Sequence, residues 1–123
     1  LVSLLEARRK KVSFNQHVVD RLGLEGIEVI WGRLGDEEIN GRYANRPFDG
    51  MVTRAALSAA EVLRMGKRIL QPGGKILLMM GTIDEAQRVE LQEEAITHGS
   101  SDVKFYPYGL PGLDRTRNLV LIR

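Results

Sequence analysis

The sequence predicts an α/β fold whose open, mostly parallel sheet ends in an antiparallel hairpin. Three observations carry that expectation. Short apolar runs alternate with segments of helical period along most of the 123 residues. One run, Lys75–Met80, is almost unbroken in its hydrophobicity, as expected of a central parallel strand covered on both faces. The last two runs, Val103–Tyr108 and Asn118–Ile122, are joined by Leu110-Pro111-Gly112-Leu113-Asp114, too short a link for a crossover helix, so they should pair antiparallel.

The elements follow in order. Leu1–Glu6 reads as a buried strand ending in an acid. Ala7–Leu22 reads as a helix with Val12, Val18, Val19 and Leu22 on its inward side, stopped by Gly23. Ile27–Trp31 is a β-branched strand that Gly32 ends, and a polar loop to Pro47 holds one helical turn at Asp36–Ile39. Phe48–Thr53 is the third strand. Ser58 then opens a helix with Glu61 at capping-box spacing, and Ala59, Val62, Leu63, Gly66, Ile69 and Leu70 form its packing face. Gln71-Pro72-Gly73-Gly74 breaks it with a tight turn into the strand Lys75–Met80, where Met79 and Met80 are expected in the core. Asp84–His98 is a polar helix with Ala86, Val89, Ala95 and Ile96 facing inward. The order β-α-β-loop-β-α-β-α-β-β implies helices on both faces of one sheet and a single domain over 1–123.

Composition bounds the function. Hydrophobic residues make up 43% and charged residues 28%, ordinary for a globular protein. The longest apolar stretch, Ile76–Met80, is far too short to cross a bilayer. With no cysteine there is neither a disulfide framework nor a thiolate metal site. A cytoplasmic protein is expected. The net charge is only +2, but Arg8, Arg9, Lys10 and Lys11 form a basic run and Arg115, Arg117 and Arg123 crowd the end, whereas acids gather in Asp36–Glu38 and Asp84–Glu94. Such asymmetry suits a polyanion on one side, and solvated helix faces account for it equally well.

In open parallel sheets ligands bind beyond the C-terminal strand ends, which ranks the candidates. Glu6 closes the first strand. A carboxylate there accepts from both hydroxyls of a ribose, or merely favours the start of the next helix. The turn Trp31-Gly32-Arg33-Leu34-Gly35-Asp36 closes the second strand and offers backbone groups, an apolar wall and a carboxylate to an adenine, or is a plain turn. Arg54, at the exit of the third strand, suits a phosphate or a cofactor carboxylate, or pairs with Asp49 or Glu61. His17 and His98 have no metal-ligand partners at suitable spacing, so no metal is expected. No Ser/His/Asp set and no phosphate-cradling glycine loop is visible.

Together, Leu5-Glu6-Ala7-Arg8-Arg9-Lys10-Lys11-Val12-Ser13-Phe14, Val29–Arg33, Phe48-Asp49-Gly50 through Thr53-Arg54-Ala55 with Ser58, Leu70-Gln71-Pro72-Gly73-Gly74-Lys75, Leu110–Asp114 and Arg117-Asn118-Leu119-Val120 resemble the bacterial ribosomal small-subunit RNA guanine-N7 methyltransferase family, the glucose-inhibited division protein B group. The resemblance runs along nearly the whole chain. It implies a Rossmann-like class I methyltransferase sheet with S-adenosyl-L-methionine as cofactor, held by Glu6, Leu34, Gly35, Asp36 and Arg54. It implies ribosomal RNA or the small ribosomal subunit as partner, touched by Arg8, Arg9, Lys10, Lys11, Arg54 and Arg117. No strong base is required, since guanine N7 is already a nucleophilic lone pair.

The sequence also departs from that family. Met80 stands where a lysine is usual, Gly35 where an acid is usual, and Asn118 where a histidine is usual. The family's first strand and glycine-rich loop precede the segment matching Leu1, so the chain is expected to be a piece of a longer domain, to bind the cofactor poorly by itself, and to expose an apolar groove that invites self-association. The first and third strands should then pair directly or leave a gap for another chain. A binding-only module for RNA or protein is the alternative, and a nicotinamide-dependent oxidoreductase, for which Glu6 would also suit, is the third.

Overall fold

The computed structural model describes residues 1–54 and 57–123. Ala55, in the exit motif of the third expected strand, lies outside the described residues. The chain divides into two compact units, residues 1–42 and residues 43–123.

In the first unit, strands β1 (Val2–Glu6) and β2 (Ile27–Trp31) pair in parallel, in register from Val2↔Ile27 to Glu6↔Trp31. Helix α1 (Arg9–Leu22) connects them, and Gly23 ends it in the left-handed conformation. Of its expected inward stripe only Val19 is buried; Val12 and Val18 are half-buried and Leu22 is exposed. Two strands offer too narrow a surface to cover the whole stripe. Ile30 and Ile39 complete the small core. The helical turn expected at Asp36–Ile39 is a longer helix, α2 (Glu37–Tyr43), which Ile39 anchors by packing toward Gly32.

The second unit holds β3 (Phe48–Arg54), α3 (Ala59–Gly66), β4 (Leu70–Met80), α4 (Glu85–Thr97), β5 (Val103–Tyr108) and β6 (Arg117–Ile122). Its sheet has the order β3-β4-β6-β5, with β3 parallel to β4 and β6 antiparallel to both β4 and β5. The closing hairpin is as expected. Both helices start with capping boxes, Ser58 with Glu61 and Asp84 with Gln87, each satisfying two otherwise unpaired amides. Val62 and Leu63 of α3 and Leu91 and Ala95 of α4 pack with Ile76, Leu78, Val120 and Ile122 into one contiguous core. Each fully buried aliphatic side chain there contributes about 1.5–3 kcal/mol.

Four expectations need correction. Ile69 and Leu70 are not helical: α3 stops at Gly66, and β4 already begins at Leu70. The Pro-Gly-Gly segment lies within that strand as an irregularity, because a Cβ on Gly74 would come within 2.9 Å of the Gln71 carbonyl oxygen and only glycine permits the bend. On α4, Ala86, Val89 and Ile96 are exposed, and Leu91 joins Ala95 inside. Within the second unit α3 and α4 share one core with Met51, Ile76, Leu78, Val120 and Ile122, while the alternate residues Val52, Leu77, Met79, Leu119 and Leu121 remain half-buried or exposed. Finally, β1 and β3 belong to separate sheets, so the direct pairing considered for them is not formed.

Candidate functional site

In the first unit the C-terminal ends of β1 and β2 lie side by side. The Gly32 N–H donates to the Glu6 carbonyl at 3.1 Å. The Glu6 carboxylate faces the start of α1: Oε1 accepts from the Arg8 N–H at 2.8 Å, and Oε2 stands 4.0 Å from Lys11 Nζ. The turn after β2 is tight. Asp36 Oδ2 accepts from the Arg33 N–H at 2.8 Å, the Asp36 N–H donates back to the Arg33 carbonyl at 3.1 Å, and Gly35 takes a φ of 98°, which favours glycine over any side-chain-bearing residue. Asn40 Nδ2 donates to the Gly35 carbonyl at 3.2 Å. Leu34 and Gly35 are half-buried and Asp36 is exposed.

The basic run occupies the N-cap and first turn of α1. Arg8 is the N-cap without a side-chain capping bond, and no acid follows in that turn. Three cations at the positive end of a helix dipole each cost on the order of 0.3–1 kcal/mol. Arg8, Arg9, Lys10 and Lys11 are all exposed. Arg9 lies over the ring of Trp31, 4.2 Å from its centroid, and the Trp31 indole N–H donates to the Ala7 carbonyl at 3.0 Å.

In the second unit Arg54 ends β3 and is paired through Met79 to Leu119, while Arg117 begins β6 opposite Tyr108. Strand alternation therefore puts Arg54 and Arg117 at one end of the sheet and on the face away from α3 and α4. They differ in setting. Arg54 is exposed and, among the described residues, makes no ion pair; Asp49 accepts instead from Gln71 and Glu61 is held by Ser58. Arg117 is half-buried, and its Nε has no partner among the described residues. Asn118, on the core face, is buried; its Nδ2 donates to the Gly81 carbonyl at 3.0 Å, tying β6 to the exit of β4. A hollow of about 170 Å³ opens between the start of α3 and α4, with Met80, Glu90 and Glu94 among its lining residues. Among the described residues no group of three or more His, Asp or Glu side chains is arranged to hold a metal, and no helix is long and apolar enough to cross a membrane.

A family model for rRNA small subunit methyltransferase G matches residues 1–118. The chain belongs to that family. Ribosomal RNA small subunit methyltransferase G of Stenotrophomonas maltophilia is 31% identical over 121 residues, which cover 98% of this chain and 52% of the relative. The counterpart from Laribacter hongkongensis is 29% identical over 119 residues, covering 97% and 53%. The chain thus spans about half the length of these methyltransferase G relatives. Solved structures agree on the fold. A methyltransferase from Pyrococcus furiosus superposes with a TM-score of 0.76 at 16% identity, covering 98% of this chain and 61% of that one. Aeropyrum pernix fibrillarin, solved with bound S-adenosyl-L-methionine, gives 0.70 at 18% identity, covering 98% and 54%. The fold is the Rossmann-like one of methyltransferases, as the element order predicts.

The sequence places Trp31 only within the turn that closes β2 and does not mark it as a contact of its own. A lone tryptophan at the ligand end of a strand, one helical start away from four cations, was the available signal. The buried Nε of Arg117 had none, since it depends on how β6 is packed.

Proposed function

We propose that this chain is part of a single methyltransferase domain that transfers the methyl group of S-adenosyl-L-methionine to N7 of a guanine in small-subunit ribosomal RNA, in the cytoplasm. One juxtaposition carries it: Glu6 ends β1 beside the Gly32–Asp36 turn that ends β2. A carboxylate has about four acceptor positions. Oε1 of Glu6 has one amide donor and Oε2 stands 4.0 Å from Lys11 Nζ, so capacity for a ribose diol remains. The turn offers half-buried Leu34 as an apolar wall and Asp36 as an acceptor for an exocyclic amine. These residues fit an adenosine moiety.

When bound, the cofactor supplies an electrophilic methyl carbon on its sulfonium. The chain's own groups have less chemistry to perform. Guanine N7 needs no deprotonation, so catalysis reduces to in-line placement and exclusion of water. Arg54 and Arg117 would hold RNA phosphates or the target base from one end and one face of the sheet. Arg8, Arg9, Lys10 and Lys11 would add sequence-independent phosphate contacts that weaken with salt.

The test is transfer by the whole domain from methyl-labelled S-adenosyl-L-methionine to small ribosomal subunits, followed by digestion of the RNA to nucleosides. Label in N7-methylguanosine is the expected result, and label in any other nucleoside overturns the N7 assignment. Met80, in the place of the family's usual lysine, favours a second reading, an RNA-binding module without transfer. That reading predicts RNA binding with no label in any nucleoside.

A further inference from the structure

Trp31 is the only tryptophan in the chain, and it is 54% exposed at the end of β2. Its orientation is nevertheless fixed. The indole N–H is bonded to the Ala7 carbonyl, and the Arg9 guanidinium is stacked on the ring. A large aromatic left open to water forgoes the burial that usually justifies it. The helix start beside it breaks two further local rules, with an uncapped N-terminus and cations in place of acids. The Glu6 carboxylate stands 4.0 Å from Lys11. Several local violations at one place mark a site whose sequence answers to something other than stability.

Resting on the RNA reading above, we propose that the Trp31 indole, braced by Arg9, is a stacking platform for an unpaired RNA base, with Arg8, Lys10 and Lys11 taking the phosphates on either side. The chemistry selects this ligand. A rigid aromatic amid cations suits a polyanion carrying flat rings, because every base has a face that stacks and every linkage has a charge to neutralise. It selects single strands over duplexes, since bases in an A-form helix are stacked on one another and present no free face. The platform lies wholly within residues 1–42 and does not draw on Arg54 or Arg117.

Because Trp31 is the sole tryptophan, its emission reports the site directly. The whole chain is titrated at low salt with a short single-stranded RNA of mixed sequence, following both tryptophan emission and the anisotropy of a dye on the RNA. The expected result is binding with saturable quenching, and shallower quenching by a duplex of equal length. Trp31→Leu should lower single-strand affinity about 5- to 150-fold, the range of one lost base–aromatic stack. Trp31→Phe should lose much less, and circular dichroism of both variants should match the wild type. RNA binding without quenching, with affinity unchanged in Trp31→Leu, overturns the platform and leaves the RNA reading standing. Absence of RNA binding by the wild type overturns both. Quenching by S-adenosyl-L-methionine that RNA displaces assigns the indole to the cofactor and overturns the platform alone. Should Trp31→Leu fail to fold, the wild-type quenching still decides.

Discussion

Among the described residues, 1–42 bury three apolar side chains, Val19, Ile30 and Ile39, whereas 43–123 bury eleven, nine of which form one contiguous cluster. Among the described residues, the first unit has two strands and the second has four. The smaller, polar unit carries the proposed adenosine contacts, the basic run and Trp31, while the larger one is a packed framework with two arginines at its rim. Two-stranded sheets are marginal without support. The contrast teaches that ligand chemistry and stability are divided between the two regions, so that changes in one should register mainly in one kind of measurement.

The largest effect expected is in the second core. Leu63→Ala removes a side chain that is fully buried and should cost about 2–5 kcal/mol in urea unfolding. A cost near zero would mean that this cluster is not the stabilising centre. A like-for-like comparison is sharper. Ile→Val costs about 0.5–1.5 kcal/mol in cores. Ile76→Val, at 1% exposure, belongs at the top of that range and Ile30→Val, at 6%, at the bottom. Amide hydrogen exchange should follow the same order, slowest in β4 and β6 and faster in β1 and β2. Equal protection in the two sheets would erase the distinction.

Capping gives a smaller, pH-dependent term. The Ser58 hydroxyl and the Ser58 amide, with a lesser push from Arg64, hold the Glu61 carboxyl below its ordinary value of 4.5, against an opposing effect of desolvation. A depressed carboxyl stabilises the fold above its unfolded pKa, and that contribution is lost as pH falls through 4.5 and below. Ser58→Ala should cost about 1 kcal/mol at neutral pH and flatten the acid limb of the stability profile. An acid limb as steep as the wild type's would show that Glu61 is not its source.

The smallest effect has the opposite sign. Lys10→Glu puts an acid where the helix dipole favours one and should stabilise α1 by about 0.3–1 kcal/mol while weakening RNA binding, most at low salt. Unchanged RNA affinity in this variant would remove the basic run from the interface.

Much of this organisation was legible in the sequence where a single local rule acts alone. Alternating apolar runs placed β2 and β5 at their observed bounds and β1 one residue too early, and Ser58 with Glu61 announced α3. Legibility failed where two patterns competed. On α4, Val89 and Ile96 recur seven apart and Leu91 and Ala95 four apart, both compatible with a helix face; contact with Ile83, Val120 and Ile122 settles which is inside. Pro72-Gly73-Gly74 has the composition of a turn, and only the flanking pairs Phe48↔Leu70 and Gly50↔Lys75 place it inside a strand. In the candidate site, Glu6 and the Gly32–Asp36 turn followed from the strand-end rule. The stacking of Arg9 on Trp31 did not, because it needs residues 22 positions apart to meet at one sheet end.

The irregularity in β4 has a consequence for how this chain tolerates changes in length. Between two ladder contacts, Phe48↔Leu70 and Gly50↔Lys75, β4 uses three more residues than β3. The surplus, around the exposed Gln71, Pro72 and Gly73, bulges out of the sheet. Beyond it the register from Ile76 to Met80 is fixed independently by β6. Residues inserted after Gly73 would therefore lengthen the outlet and leave every downstream pair in place, at a closure cost that grows only logarithmically with the added length. An epitope tag or a short linker placed there should be carried by a strand that remains central to its sheet.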